Sequence, residues 1–332
     1  MKKKLYSAAA ITLVTSALLA GCGSDSSSED TKKEDSGEKT YQVGVTQIVQ
    51  HASLDEATKG FQDALKESDL NVEFDVQNAQ NDQSNNQTIA KNLVSDKVDL
   101  IFANSTPSAL GAKNATGDIP IVFTSVTDPI EAELVTSLEK PGANVTGTTD
   151  SHPDAIANTV KFIAEELGAK TIGTVYNAGE KNSIVQVDNM KAEAKKLGVK
   201  VSEASVSTSA DVKKAAESLI GKVDAFYIVT DNTVVSALES VVGVSNDKDI
   251  PLFVGELDSV ERGGFAAYGF SYYDIGFEAG EKAVEILKDG KKPGDIPVSY
   301  PQNLKLVINE TAAKEMGVEI KDEWKKDAEL VK

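Results

Sequence analysis

Val98-Asp99-Leu100-Ile101-Phe102-Ala103-Asn104-Ser105-Thr106, followed by Ser108-Ala109-Leu110, returns later in the chain as Val223-Asp224-Ala225-Phe226-Tyr227-Ile228-Val229-Thr230-Asp231-Asn232-Thr233, followed by Ser236-Ala237-Leu238. Each copy is a short apolar run that ends in hydroxyl and amide residues and opens a helix. A second pair follows in the same order: Asp118-Ile119-Pro120-Ile121-Val122-Phe123 and Asp249-Ile250-Pro251-Leu252-Phe253-Val254. Upstream of each, the pattern reads strand, helix, strand, helix: 42–48, 54–66, 72–77 and 85–95 in the first copy; 171–176, 184–197, 199–206 and 210–220 in the second. Two copies of one α/β unit are the economical interpretation. Strands apolar throughout, alternating with helices of about a dozen residues, predict parallel sheets covered on both faces. The fold class is therefore α/β, with two doubly wound parallel-sheet lobes.

The connections predict how the lobes are joined. Pro141-Gly142-Ala143-Asn144-Val145-Thr146-Gly147-Thr148-Thr149-Asp150 lies between the two units, and elements are left over once the second is complete. These are a strand at Ala266-Ala267-Tyr268-Gly269-Phe270-Ser271, a helix over 275–287, and the runs Asp295-Ile296-Pro297-Val298 and Leu304-Lys305-Leu306-Val307-Ile308. Surplus elements imply that the chain returns to the first lobe, so several crossings form a hinge. The expected boundaries are 41–147 plus about 262–296 for one lobe, and 148–261 plus about 297–332 for the other.

Ahead of this lies an export leader. Lys2, Lys3 and Lys4 precede a mostly apolar run from Leu5 to Leu19, with small residues at a cleavage point, which predicts a signal peptide over 1–21. Leu18-Leu19-Ala20-Gly21-Cys22 resembles a bacterial lipobox, and the resemblance implies acylation of Cys22 and retention on the extracytoplasmic face of a membrane. Such an anchor needs no transmembrane helix. The following GSDSSSEDTKKEDSGEKT is almost free of apolar residues, so 22–40 reads as a lipidated flexible tether. With a single cysteine, no disulfide framework exists. The formal charge is −18 from 34 basic and 52 acidic residues, and losing the three leader lysines makes it −21. Such a surface repels nucleic acid, which is excluded as a partner.

In doubly wound sheets, ligands collect beyond the carboxyl ends of the strands. That rule selects Gln47, Asn104, Ser105, Thr106, Ser125, Val126 and Thr127 in the first unit, and Tyr176, Asn177, Asp231, Asn232 and Glu256 in the second, with Thr46, Asp128 and Thr230 beside them at the same strand ends. The same residue types also serve as helix N-caps, and Asp231 fits equally as the cap of the helix containing Val234 and Leu238. Ser105-Thr106-Pro107 predicts a helix start whose free N–H groups suit a carboxylate, with Ser125 and Thr127 adding hydroxyl donors. Asp231 and Glu256 offer negative charge to an ammonium group. Leu54, Val49, Val126 and Tyr176 are the candidates for a flat apolar wall, although Tyr176 could simply finish its strand. Only His51 and His152 exist, with no Gly-x-Ser-x-Gly run and no metal-spaced cluster, so neither an enzyme, a cofactor nor a metal site is predicted. His51 reads as a loop residue capping the helix that follows, at the rim of the cleft.

The chain resembles the solute-binding lipoproteins of ABC importers with the type I periplasmic-binding fold, and within them the family that binds tryptophan and other aromatic amino acids. The resemblance is carried by Gly44-Val45-Thr46-Gln47-Ile48-Val49 with His51 and Leu54-Asp55, by Lys59-Gly60-Phe61, by 119–129 (IPIVFTSVTDP), by Asn144-Val145-Thr146-Gly147 and by Tyr272-Tyr273-Asp274-Ile275-Gly276. It implies a monomeric binding protein that closes on an aromatic amino acid and presents it to an ABC permease. Relatives of this fold also carry sugars and nucleosides, and a surface receptor serving a membrane sensor would use the same closure. One arginine and one tryptophan in the whole chain weaken the sugar alternative.

Overall fold

The computed structural model describes Lys39–Lys332; the expected signal peptide, Cys22 and nearly all of the tether lie outside the described residues. The first half contains β1 (Thr40–Gln47), α1 (Ala52–Glu67), β2 (Asn71–Asn78), α2 (Gln83–Ser95), β3 (Leu100–Asn104), α3 (Thr106–Ala115), β4 (Ile121–Val126) and β5 (Val145–Thr149). The second continues with α4 (Ala155–Lys161), β6 (Thr171–Asn177), α5 (Lys181–Lys196), β7 (Lys200–Val206), α6 (Val212–Glu217), β8 (Ala225–Ile228), α7 (Asn232–Val235), α8 (Leu238–Lys248), β9 (Leu252–Val254), α9 (Leu257–Glu261) and β10 (Ala266–Gly269). Then follow α10 (Tyr272–Leu287), β11 (Lys305–Asn309), α11 (Glu310–Glu315) and β12 (Ala328–Val331).

The strands form two sheets, ordered β2-β1-β3-β4-β5 and β12-β11-β10-β9-β8-β6-β7. Central strands β3, β4 and β8 are buried at every residue, in keeping with their largely apolar runs between two layers of helices. Edge strand β2 is exposed at six of its eight residues and carries Glu73 and Asp75, charges that limit further pairing along that side. Helix starts follow local chemistry. The Asp82 carboxylate accepts from Ser84 N and Asn85 N to open α2, and Ser271 Oγ accepts from Asp274 N to open α10. Phe61 stacks on Phe102 at 3.8 Å between ring centres in the first core, while Phe162, Phe253, Phe265 and Trp324 cluster in the second. Each fully buried ring of this kind contributes about 1.5–3 kcal/mol.

The repeat and the parallel order within each unit are as the sequence predicts, and the differences lie in the connections. Ala266–Gly269, expected in the first lobe with 262–296, is β10 of the second sheet: Ala266 pairs with Phe253 of β9, and the strand runs antiparallel to β11. The second sheet is therefore mixed. Its last two strands, β11 and β12, arrive from the opposite direction after the chain has been to the first half and back. The run 295–298 carries only the end of one tight turn at Pro293–Asp295. It remains with the first half, since Val298 N donates to Leu138 O and Ser299 bridges Thr148. The crossings thus fall near 150, 270 and 300, and α10 packs on α1 and covers β4 and β5.

Candidate functional site

The carboxyl ends of both sheets meet around a cleft that is nearly shut, with about 10 Å³ of free volume, far below the ~300–1,000 Å³ usual for ligand pockets. Its walls come from three places. His51, Leu54 and Ser125 belong to the first half; Asn182, Thr230, Asn232, Val235 and Glu256 to the second; Asp150 and Tyr272 to two of the crossings. Among the described residues, no Lys or Arg lines it. The halves touch directly beside it: Asn81 Nδ2 donates to Thr233 Oγ1 at 2.8 Å, and Gln186 Nε2 to Thr127 Oγ1 at 3.4 Å.

Local structure explains how several of these groups are aimed. Ser125 sits at φ 55 where the pairing of β4 with β5 slips between Phe123 and Val126, a bulge that turns its hydroxyl out of the ladder. Its Oγ is buried with no partner among the described residues. His51 occupies the position before α1 yet makes no cap hydrogen bond, so the capping role expected of it is not taken up. Instead its ring reaches the cavity, and Nδ1 too is buried without a partner among the described residues. Leaving such atoms unpaired costs about 1–3 kcal/mol each, the usual mark of groups intended for something else. Burial, helped by the Arg262 charge, pushes the imidazole down to about 4, so His51 is neutral.

Two carboxylates face the same space. Asp150 is held from both sides: its Oδ2 accepts from Tyr272 Oη at 2.8 Å and Oδ1 from Thr127 Oγ1 at 3.0 Å. Glu256, 2% exposed, accepts from Ser259 Oγ at 2.7 Å. Desolvation is the main cause that raises both, Asp150 to about 6 and Glu256 to about 7. The cavity is therefore a desolvated, electronegative chamber with Leu54, Val235 and the Tyr272 ring as its apolar surface.

Of the thirteen predicted ligand residues, Leu54, Ser125, Asn232 and Glu256 line this cavity. Thr127 touches it through Asp150. Gln47 and Asn104 are instead a buried knot: Asn104 Nδ2 donates to Leu54 O at 2.7 Å and Thr58 Oγ1 at 2.9 Å, and Thr58 Oγ1 donates to Gln47 Oε1, which fixes the start of α1 on the sheet. Val126 is packed in the first core. Ser105 and Thr106 lie at the start of α3 outside the cavity wall, Thr106 in a separate crevice with Lys181 and Asn182. Tyr176 finishes its strand, its hydroxyl donating to Glu203 at 3.0 Å, and the aromatic wall is Tyr272. Asn177 is spent on Thr233 Oγ1 at 2.9 Å.

Asp231 resolves toward the cap. Its oxygens accept from Val234 N (2.8 Å), Asn177 N (2.6 Å) and Ser183 Oγ (2.6 Å), and it is wholly buried off the cavity. Asp231→Ala removes a helix cap and orphans two further donors, so it lowers stability by about 2 kcal/mol or more. The expected result is a fall of several degrees in the melting midpoint by calorimetry.

Asp150, Tyr272, Asn182 and Val235 were missed as site residues, while Thr230, named at its strand end, does line the cavity. Asp150 and Tyr272 follow the ends of strands at crossings, and that position is the one signal that could have exposed them. Among the described residues no cluster of three metal-binding side chains occurs, and no helix is long and apolar enough to cross a membrane.

Residues 42–332 match the family model described as ABC transporter substrate binding protein. A tyrosine-binding protein of Clostridioides difficile is 45% identical over 326 residues, which is 96% of this chain and 93% of the relative. Among solved structures, the ABC domain in complex with L-Trp from Streptococcus pneumonia is 36% identical with a TM-score of 0.84, covering 89% of this chain and 100% of that one. The ligand-free, open structure of a substrate-binding protein with adhesive properties from Clostridium difficile is 42% identical with a TM-score of 0.65, covering 88% and 99%.

Proposed function

The chain belongs to the ABC transporter substrate-binding proteins, and on that premise we propose that it captures an aromatic amino acid between its two lobes and delivers it to an ABC permease. Members of this family bind solutes and are not enzymes. The observation that carries the ligand class is the chamber itself: two desolvated carboxylates, no lining cation among the described residues, and an apolar wall of Leu54, Val235 and Tyr272. An ammonium group compensates the carboxylates, as a neutral sugar cannot, and the side chain takes the apolar wall. The similarity to a tyrosine-binding protein and to an L-Trp complex supports the same class. The L-Trp complex superposes better than the open relative although it is less identical, which supports reading the present relation of the lobes as the closed one.

On this reading the ligand enters an open cleft, bridges Ser125 and His51 on one side to Asn232 and Glu256 on the other, and shifts the population toward closure. We further propose that the mature protein stands on the extracytoplasmic face of the membrane, held by a lipid on Cys22. Thermal-shift and calorimetric titration test the ligand class: L-tyrosine, L-tryptophan or L-phenylalanine raises the melting midpoint and gives saturable heat. A pentose or nucleoside that did so, while all three amino acids were silent, would refute it.

A further inference from the structure

One ammonium needs one carboxylate, yet the chamber holds two, from different parts of the hinge and cleft. Asp150 is on the first crossing and is tied to the second by the Tyr272 hydroxyl. Glu256 belongs to the second lobe, at the start of α9, and its charge makes ionisation of Asp150 costlier still. The groups facing them offer little relief. His51, from the start of α1, is neutral; Asp258 adds a like charge beside Glu256; Tyr272 keeps its proton. Among the described residues, Arg262 is the cation that acts on Glu256; Glu239 engages its guanidinium through Nε at 2.9 Å and Nη2 at 3.0 Å, while its Nη1 is buried without a partner among the described residues.

We infer that Asp150 and Glu256 together are a specificity lock on the motion itself: they make closure of the lobes conditional on a cation in the cleft. When the lobes separate, both carboxylates are in water and ionise at ordinary cost. When the lobes meet over nothing but these groups, two like charges leave water together, and closure is opposed. A ligand with a protonated amine removes that opposition, so a neutral molecule of the same shape fills the space without closing it. The closed shape is thereby reserved for loaded protein. This deepens the amino-acid reading and rests on it for the nature of the cation, but it concerns the protein before any ligand arrives.

The direction with pH follows from the raised carboxyls. Protonation is favoured in the closed form, so acid relieves the opposition and alkali restores it. The test is single-molecule energy transfer between dyes on one exposed residue of each lobe, with no ligand added, on the wild type and on Glu256→Gln and Asp150→Asn. The closed fraction of the wild type rises ~10-fold or more between about pH 8 and about pH 5.5, since Glu256, raised from 4.5 to about 7 in the closed form, binds its proton there more than about a hundredfold more tightly than in the open form. Each variant at pH 8 is already closed to a degree the wild type reaches only in acid, with a flatter pH profile. A wild-type closed fraction that does not change with pH overturns the lock, and that measurement stands even if a variant fails to fold. So do variants that match the wild type at every pH. Acid-driven closure in a protein that gives no heat with aromatic amino acids upholds the lock and refutes the ligand; heat without acid-driven closure does the reverse.

Discussion

Gly276→Val leaves little folded protein. Gly276 lies where α10 crosses α1, and a Cβ placed there meets Ala57 O at 2.0 Å; at Gly60, on the facing helix, it meets Tyr273 O at 2.1 Å. The obstacles are backbone atoms, so no rotamer change relieves them, and the helices must move apart by about an ångström or more. Overpacking a core costs about 1–3 kcal/mol where side chains can shift, and more where backbones must. Here the separation also lifts α10 from β4 and β5, opening the first core over Ala279 and Ala283. Against a total stability of about 5–15 kcal/mol, the outcome is a chain that is insoluble or lacks a cooperative melt. Gly117→Ala is the control: nothing lies within 4 Å of its Cβ, and its melting midpoint stays where the wild type has it. A Gly276→Val protein that melted normally would mean that the two helices do not approach as described.

Glu256→Gln weakens binding of an aromatic amino acid by about thirtyfold or more. The change keeps the shape and the hydrogen bond with Ser259 within reach, but removes the negative charge. Losing one partner of a desolvated, hydrogen-bonded charge pair costs about 2–5 kcal/mol. Calorimetry at neutral pH reads this directly as a rise in Kd. The wild type carries a matching pH dependence. The bound ammonium requires ionised carboxyls, and in the open, ligand-free protein both are in water and ionise in the ordinary carboxylate range. Binding is therefore level across neutral pH and weakens as pH falls into that range, where the open form takes up protons that the complex excludes. Glu256→Gln loses part of that dependence. Equal affinity for mutant and wild type would remove Glu256 from the ligand's surroundings.

Much of the architecture was legible because it is encoded locally. The repeated Val-Asp-apolar run and the repeated Asp-Ile-Pro run are each a few residues long, and they fall on β3 with the start of α3, on β8 with the start of α7, and on the entries to β4 and β9. Buried parallel strands must be apolar at every position, so their signal survives without any knowledge of neighbours. The family followed from other short segments, among them 44–49, 119–129 and 272–276.

The site was only partly legible, for a reason visible at Asp231 and Asp150. Both follow buried strands and both sit beside hydroxyl residues. Nothing local distinguishes an aspartate whose oxygens satisfy Val234 N, Asn177 N and Ser183 from one turned into a chamber. The difference arises from partners far away in sequence: Tyr272, 122 residues on from Asp150, supplies the hydroxyl that holds it. The same holds for β10, assigned to the wrong lobe because its place depends on pairing with β11, which the chain reaches only after visiting the other lobe. The sequence by itself determined the two α/β units, their order of elements and the chemistry available at the strand ends, since those rest on periodicity and on residue type. The tertiary structure alone decided which lobe each crossing strand joins and which polar residues face the ligand space, since those rest on contacts between segments that meet only when the chain has folded.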